Sequence, residues 1–304
     1  MAEGGLRTKG VLKSQGKTLV TIVTVVFNCE KYLRQTIDSI LSQDYDNVEY
    51  VIVDGASTDG TVDIISEFDD KLDYWVSEPD KGISDAFSKG IGLATGDIIG
   101  LVNGDDWLEP GAITEVVRCF SDSENNSSDG GNNSIDGGNK SNGSEYGKSV
   151  DILCGALQYW DKDEKDYIFY SNIAGLTREM TINHPATFVR AGVYEKYGAF
   201  DSFYKVAMDY DFIYRCFSKG VSFGETTVIL SNMRLDGNSD LLWIGGFADV
   251  RDVKIKYGQN FLFAWMYYFF QITRKLASRF LTFIGLSKVV DIFRNNFSVM
   301  KKEQ

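Results

Sequence analysis

Short apolar runs alternate with stretches of helical periodicity over residues 18–120, and few folds accommodate this alternation. The apolar runs occupy residues 18–27, 50–53, 72–77 and 97–102. Helical patterns follow them over about 30–43, from Thr58 or Asp59 to about 68, over 83–91, and after Pro110. Apolar and β-branched runs of this length are typical of strands buried on both faces. The alternation therefore predicts an α/β fold, an open twisted, mostly parallel sheet flanked by helices.

Acidic residues stand where two of these predicted strands end. Asp54 closes the second strand, and the turn Asn103-Gly104-Asp105-Asp106 follows the fourth. Ligands of such sheets bind beyond the carboxyl ends of the strands. Carboxylates without His or Cys favour Mg²⁺ or Mn²⁺, which bind through one or two carboxylates together with phosphate oxygens. The pattern predicts a metal and nucleotide-diphosphate site, although each aspartate taken alone could simply form a turn.

The charge of the chain is divided unevenly along its length. The 31 Lys and Arg and 43 Asp and Glu give a net charge of −12, which argues against a general nucleic-acid binder. Residues 251–304 carry ten basic and three acidic residues, or +7, so residues 1–250 carry −19. Four widely spaced cysteines predict reduced thiols in a cytosolic protein, and we see no signal peptide.

The domain organisation follows from changes in composition. Residues 1–17 are expected to be a disordered lead, and 18–250 a single domain. Gly, Asn and Ser make up 20 of the 29 residues in 121–149, which predicts a disordered insertion in this domain. Strands are predicted at 151–160 and 184–190 and a helix from Asp209 to Gly220. The Gly- and Asp-rich segment 236–250 is expected to be a loop.

The C-terminal segment 251–304 combines aromatic residues with cations. Its run FLFAWMYYFF is too short for a membrane span, because Gln271, Arg274 and Lys275 interrupt it. This composition favours an amphipathic helix lying in a membrane surface. The alternative is a helical pair that packs on the sheet.

The order of motifs resembles glycosyltransferase family 2, of the bacterial polysaccharide type and with the GT-A fold. The resemblance covers about residues 18–220 and rests on TIVTVVFN, VEYVIVDGASTDGT, SEPDKGISDAFSKGI, ATGDIIGLVNGDDWLEPGAI and AMDYDF. It implies inverting transfer of a sugar from a nucleotide-diphosphate sugar, with a UDP-sugar favoured. The acceptor would be a hydroxyl of a glycan or lipid-linked molecule in cell-surface polysaccharide or glycolipid synthesis.

The resemblance also implies roles for individual residues. Asp105 would bind Mn²⁺ or Mg²⁺ in the position of the family's D-x-D motif, with Asp106 adjacent on the donor side. Asp54 would accept hydrogen bonds from the nucleoside base. Asp209 would be the general base that takes the acceptor's proton. Three positions depart from the usual pattern, namely Asn103 for Asp, Met208 for Glu and Phe87 for Arg.

Four further residues are candidates for contacts to the donor. Lys81 and Asp85 lie between the two acidic strand ends, and Arg234 could pair with phosphate. His184, the only histidine, could touch the diphosphate or the acceptor, or be structural.

Other enzyme classes lack their motifs here. A dinucleotide-binding enzyme would need G-x-G-x-x-G after the first strand, where FNCEKY stands. The remaining alternative is a catalytically silent homologue that acts as a partner subunit or carbohydrate-binding module. The sequence thus predicts a metal-assisted glycosyltransferase, peripheral on the cytoplasmic face of a membrane.

Overall fold

The computed structural model describes residues 1–13, 16–128, 149–204, 206–235, 243–286 and 302–303. Most of the predicted insertion (129–148), part of the predicted loop (236–242) and most of the end of the tail (287–301) lie outside these residues.

The described residues form eleven strands in one sheet and eight α-helices. The strands are β1 Ala2–Gly4, β2 Val20–Val26, β3 Val48–Asp54, β4 Tyr74–Ser77, β5 Ile98–Asn103, β6 Trp107–Leu108, β7 Ile152–Asp161, β8 Glu164–Phe169, β9 Thr187–Arg190, β10 Phe223–Arg234 and β11 Lys302–Glu303. The helices are α1 Leu33–Leu41, α2 Thr61–Glu67, α3 Ile83–Leu93, α4 Ala112–Ser128, α5 Ala191–Tyr197, α6 Met208–Ser218, α7 Trp243–Lys256 and α8 Phe261–Phe283.

The sheet is mixed, and its parallel half is formed by strands from the first third of the chain. Its main order is β1-β4-β3-β2-β5-β9-β7-β10-β6, and β4, β3, β2 and β5 are mutually parallel. Strand β9 pairs antiparallel with both β5 and β7, and so joins the parallel half to the later strands. The predicted α/β sheet with flanking helices is confirmed.

Two apolar layers cover the sheet, one on each face. Side chains of β2 alternate between them, with Ile22 in one layer and Val23 in the other. The first layer packs the sheet against α1, α2 and α4, and the second against α3, α5, α6 and part of α7. Strands β2, β3 and β5 are buried almost throughout, because helices cover both of their faces.

Two parts of the predicted organisation are wrong. Residues 2–4 of the expected disordered lead form β1 on the edge strand β4, and Arg7 donates a hydrogen bond to Glu49 at 3.3 Å. The expected loop 236–250 is helical from Trp243, so the boundary predicted at 250 falls inside α7. Its Val253 is fully buried in the layer that contains α6, and this packing outweighs the glycine content.

Candidate active site

The parallel strands bring the predicted acidic residues to one edge of the sheet. Strands β2, β3, β4 and β5 run in the same direction, so Asp54 and the turn Asn103–Asp106 lie along their common carboxyl edge. This is the edge where the sequence places a ligand site.

Asp54 holds together the loops at this edge. Its side chain is fully buried and accepts hydrogen bonds from the Ser57 amide at 3.0 Å, the Ser57 hydroxyl at 2.5 Å and the Ser77 hydroxyl at 2.6 Å. Because the side chain is enclosed by these loops, the contact with a nucleoside base stays a prediction. The structure thus adds a loop-positioning role that the sequence did not suggest.

Two non-glycine residues beside Asp54 have left-handed backbone. Asn28 has φ 53° and Ala56 has φ 63°. The Asn28 side-chain oxygen accepts the backbone amide hydrogen of Thr58 at 2.9 Å. The backbone amide of Asn28 donates to the Ser57 hydroxyl at 2.8 Å. Such backbone costs energy and concentrates at functional sites, where the surrounding structure holds it.

The turn after β5 contains one partly exposed carboxylate and one buried carboxyl. Among the described residues, no other residue donates a hydrogen bond to the Asp105 side chain, and burial raises its pKa above the ordinary value. Asp106 is 1% exposed and accepts a hydrogen bond from Asn103 Nδ2 at 2.8 Å. Burial, and then the neighbouring Asp105 charge, raise the pKa of Asp106 well above its usual range. This concentration of acidic groups is what a divalent cation would relieve.

Helix α1 supports this turn through a threonine on its buried face. The Thr36 hydroxyl lies 2.9 Å from the Gly104 carbonyl and 2.7 Å from the Asp106 carbonyl. Because its one proton serves both acceptors, the hydroxyl fixes the turn to the helix.

Replacing Thr36 by Val is expected to lower the free energy of unfolding by about 1–3 kcal/mol, because two buried carbonyls lose their donor. Urea unfolding measures this. The exposed Thr114, whose hydroxyl donates to Asp44 at 2.7 Å, provides the matched control, with an expected effect of T114V within about 0.5 kcal/mol. Equal effects of the two variants would contradict the support role.

Arg234, the last residue of β10, lies beside the same turn. Its guanidinium carbon is 4.3 Å from the centroid of the Tyr32 ring and 4.6 Å from that of Trp107. One guanidinium nitrogen donates to Gln35 of α1, and the positive charge lowers the pKa of Asp105 and Asp106. These contacts give Arg234, which is only 9% exposed, a structural role, and its contact with phosphate stays a prediction.

Replacing Arg234 by Lys is expected to lower the free energy of unfolding by about 1–3 kcal/mol, because an ammonium cannot stack on both rings and bind Gln35 together. Denaturant unfolding, with near-ultraviolet circular dichroism to follow the aromatic pair, measures the change. R118K is the control at an exposed ion pair, where little change is expected. A wild-type unfolding curve for R234K would show that the stacking is unimportant.

Asp209 lies in the first turn of α6, facing a small cavity. Its Oδ1 accepts the Tyr210 amide hydrogen at 2.7 Å, and burial raises the pKa of Asp209 to about 6. A carboxyl with this pKa is ionised at neutral pH and is a stronger base than an ordinary aspartate. His184 lines the same cavity.

His184 is enclosed by aromatic rings. The centroids of Phe87 and Phe200 lie 5.1 and 5.9 Å from that of the imidazole, both in edge-on geometry. Its Nε2 is buried without a hydrogen-bond partner, and burial lowers the pKa of His184 to about 4. The structure thus places a neutral His184 beside Asp209, which favours the structural alternative over contact with a diphosphate.

The amino-terminal ends of α3 and α6 meet through Ser84 and Met208. The Ser84 hydroxyl lies 2.8 Å from Met208 Sδ, so the methionine packs where the family usually has glutamate. Asp85 accepts the Lys81 amide hydrogen at 3.0 Å and closes the turn before α3. The Lys81 residue is exposed.

The sequence did not identify the supporting residues Tyr32, Gln35, Thr36, Ser57 and Ser77. Thr36 alone left a signal, a polar residue within the apolar stripe of α1. The others act through contacts between distant segments.

Comparisons with known proteins identify the family to which the chain belongs. The family model described as "Glycosyl transferase family 2" matches residues 21–198. Glycosyltransferase GlyA of Streptococcus pneumoniae is 36% identical over 93 residues, which cover 30% of this chain and only 13% of GlyA. The uncharacterized glycosyltransferase Rv1514c of Mycobacterium tuberculosis is 27% identical over 198 residues, 64% of this chain and 68% of the relative.

Solved structures share the fold at low identity. TarS 1-349 of S. aureus, solved in complex with UDP-GlcNAc, has a TM-score of 0.59 and 14% identity, covering 92% of this chain and 76% of TarS 1-349. The mannosyltransferase PcManGT of Pyrobaculum calidifontis, in complex with GDP-Man and Mn²⁺, has a TM-score of 0.54 and 16% identity, covering 86% and 75% of the two chains. By its family match and its fold, the chain belongs to glycosyl transferase family 2 and is a GT-A glycosyltransferase.

Proposed function

We propose that the protein transfers a sugar from a nucleotide-diphosphate sugar to a hydroxyl of a glycan or lipid-linked acceptor, with inversion at the anomeric carbon. The observation that carries this proposal is the Asp105 carboxylate at the carboxyl edge of the sheet, to which no other residue in the described part of the chain donates a hydrogen bond. TarS and PcManGT, which share the fold, bind UDP-GlcNAc and GDP-Man, and this supports a nucleotide-sugar donor, with a UDP-sugar favoured.

The residues of the turn fit a cation that is shared with a substrate. Among the described residues, no group of three or more His, Cys, Asp or Glu side chains could hold a metal alone. Mg²⁺ and Mn²⁺ accept sites with one or two carboxylates when phosphate oxygens and water complete the coordination. Asp105 would be the protein ligand, with Asp106 adjacent. When bound, the metal would supply positive charge to the departing diphosphate.

Asp209 would act as the general base. Its carboxylate accepts the proton of the acceptor hydroxyl while that oxygen forms a bond to the anomeric carbon. The bond between this carbon and the diphosphate oxygen breaks, and the electron pair leaves with the nucleoside diphosphate. One carboxylate suffices on the acceptor side, and attack opposite the leaving group inverts the configuration.

Asp54, Lys81, Asp85 and Arg234 complete the proposed donor side. In this arrangement Asp54 orders the loops that border the nucleoside, and Lys81 supplies an exposed cation. Arg234 packs on Trp107 beside the aspartate turn, and its positive charge partly offsets the negative charge of Asp105.

The proposal is tested with a panel of UDP-, GDP-, dTDP- and CMP-sugars, with and without Mn²⁺. We expect one nucleotide class to raise the melting temperature in a metal-dependent way, and its sugar to be released or transferred slowly on incubation. No stabilisation by any member of the panel would favour the silent-homologue alternative.

We also propose that the enzyme works at the cytoplasmic face of a membrane, where a lipid-linked or growing glycan acceptor would be presented. The basic, aromatic C-terminal segment supports this location, because its charge of +7 contrasts with −19 in the rest of the chain.

A further inference from the structure

Helix α8 turns a continuous apolar face away from the protein. Eight large apolar side chains on this face are 53–87% exposed, and we call this set the α8 stripe: Leu262, Phe263, Met266, Phe269, Phe270, Leu276, Phe280 and Phe283. Positions 262, 266, 269, 276, 280 and 283 recur at intervals of three, four or seven residues, which puts them on one side of the helix. An exposed apolar surface of this extent on a folded protein indicates a binding surface.

Polar and aromatic contacts fix α8 to the rest of the protein. Ala264 and Gln271 are buried, and Gln271 Nε2 donates to Glu179 Oε2, outside the helix, at 3.4 Å. Lys254 of α7 lies 3.5 Å from the centroid of the Tyr267 ring. Arg251 of α7 lies 4.3 Å from that of Trp265. The stripe is therefore held outward, and α8 cannot bury it by rotating without breaking these contacts.

Cations border the stripe on both sides. Arg274 follows Phe270 by four residues, and Arg279 follows Leu276 by three, so one lies at each edge. Residues 261–286 contain Arg274, Lys275 and Arg279 but no Asp or Glu.

This charge pattern identifies the occupant of the surface. If a second copy paired its α8 with this one, basic edges would face basic edges without an acidic residue between them, which is unfavourable. An anionic lipid surface satisfies both features, because the stripe enters the acyl boundary and the arginines reach the headgroups. Among the described helices, none is both long and apolar enough to cross a membrane.

We propose that the α8 stripe binds the surface of an anionic lipid bilayer, with α8 lying parallel to the membrane plane. At 23 residues the helix would extend about 35 Å along that plane. This inference deepens the proposed function, on which it rests for the location of the acceptor, and assigns the contact to one face of one helix.

Helix α7 connects this face to the candidate base. Asp249 of α7 accepts the backbone amide hydrogens of Val206 and Ala207 at 3.2 and 3.4 Å, just before Asp209. Lys256 of α7 donates to the buried Asp211 of α6 at 2.9 Å. Because α8 packs on α7, the bilayer contact also fixes how the Asp209 end of α6 is presented to a membrane-borne acceptor.

The test is flotation of the full chain with phosphatidylcholine vesicles that contain or lack phosphatidylglycerol. We expect binding to the anionic vesicles, and about 25-fold weaker partitioning for the double variant R274Q/R279Q, at about fivefold per cation. L262E, at the amino-terminal end of the stripe, is expected to lower partitioning to the anionic vesicles at least about tenfold. L12E is the matched control, since Leu12 is 76% exposed and Leu262 65%, and we expect wild-type binding.

Three results would overturn the inference. The first is flotation of L262E at the wild-type level, and the second is equal binding of the wild type to neutral and anionic vesicles. The third is a wild-type protein that is dimeric in solution and becomes monomeric in the L262E variant. Nucleotide-dependent stabilisation is measured on the same preparations without lipid. Stabilisation without flotation refutes only the lipid-binding surface, whereas flotation without stabilisation by any donor refutes only the proposed function.

Discussion

The variant D209N is expected to lose sugar transfer by about 10³-fold while it still binds the nucleotide donor. The general base acts in the transition state, where the acceptor proton is transferred, and removal of such a group typically lowers the rate about 10²–10⁴-fold. Initial rates of nucleotide release with an acceptor, together with donor affinity from thermal stabilisation, separate the two effects. Transfer at the wild-type rate by D209N would exclude Asp209 as the base.

The pKa of Asp209 predicts how wild-type activity changes with pH. Since burial raises this pKa to about 6, the base is protonated below that value and kcat/KM should fall about tenfold per pH unit there. Above pH 6 the rate should reach a plateau. A profile without a break between pH 5 and 7 would contradict this assignment.

The same shift predicts an unusual effect on stability. The folded state holds the Asp209 proton more tightly than the unfolded state, so stability falls as pH rises from about 4 to 6 and stays reduced above. D209N should therefore be more stable than the wild type at pH 7, by about 1–3 kcal/mol. Urea unfolding at pH 4 and pH 7 checks this, because the difference should vanish at the lower pH.

Asp211, two residues further along α6, is the matched control. It is fully buried and bonded to Lys256 at 2.9 Å and to the Tyr257 hydroxyl at 3.2 Å. D211N should destabilise the protein by about 1–3 kcal/mol, because a buried amide is a weaker hydrogen-bond acceptor than the carboxylate for the Lys256 ammonium and the Tyr257 hydroxyl. Opposite signs for two aspartates on one helix would distinguish a functional group from a structural one.

The second large effect is expected for D105N, which should lose the metal-dependent part of donor binding. Amide oxygen is a weaker ligand for Mn²⁺ or Mg²⁺ than carboxylate, and we expect affinity for the donor to fall by at least about 100-fold with Mn²⁺ present. Without metal, the variant and the wild type should bind the donor alike. Isothermal titration calorimetry with the nucleotide identified by the panel measures donor affinity for the wild type and for D105N, each with and without Mn²⁺.

D38N provides the control for this measurement. Asp38 is an exposed aspartate on α1, and its removal changes the net charge by the same amount as D105N. An unchanged metal dependence in D105N, or an equal loss in D38N, would show that Asp105 is not the metal ligand.

The sequence predicted the parallel half of the sheet well, because each strand there is buried by helices on both faces. Runs such as that around Val23 contain only residues that suit such burial, and the helices between them have regular apolar spacing. The carboxyl-edge rule then placed Asp105 and Asp106 correctly relative to the sheet, since both follow directly from the end of β5.

The supporting contacts could not be predicted, because they join residues far apart in the chain. Arg234 binds Gln35 across 199 positions, and only the fold brings β10 beside α1. The enclosure of His184 likewise depends on rings from α3 and the segment before α6. A single sequence records the residue types at these positions but not which of them meet.

The sheet has very short strands, β1 and β6, at the two edges of its main order. Unpaired strand edges invite pairing with other chains, and long flat ones promote aggregation. In the described residues, the main order of the sheet ends on the three-residue β1 and the two-residue β6. Strand β8 pairs with β7 outside this main order, and it begins with the charged residues Glu164, Lys165 and Asp166. Truncation within residues 1–10 would therefore uncover β4, whose YWVS run is well suited to pairing between molecules, and would lower solubility before it affected catalysis.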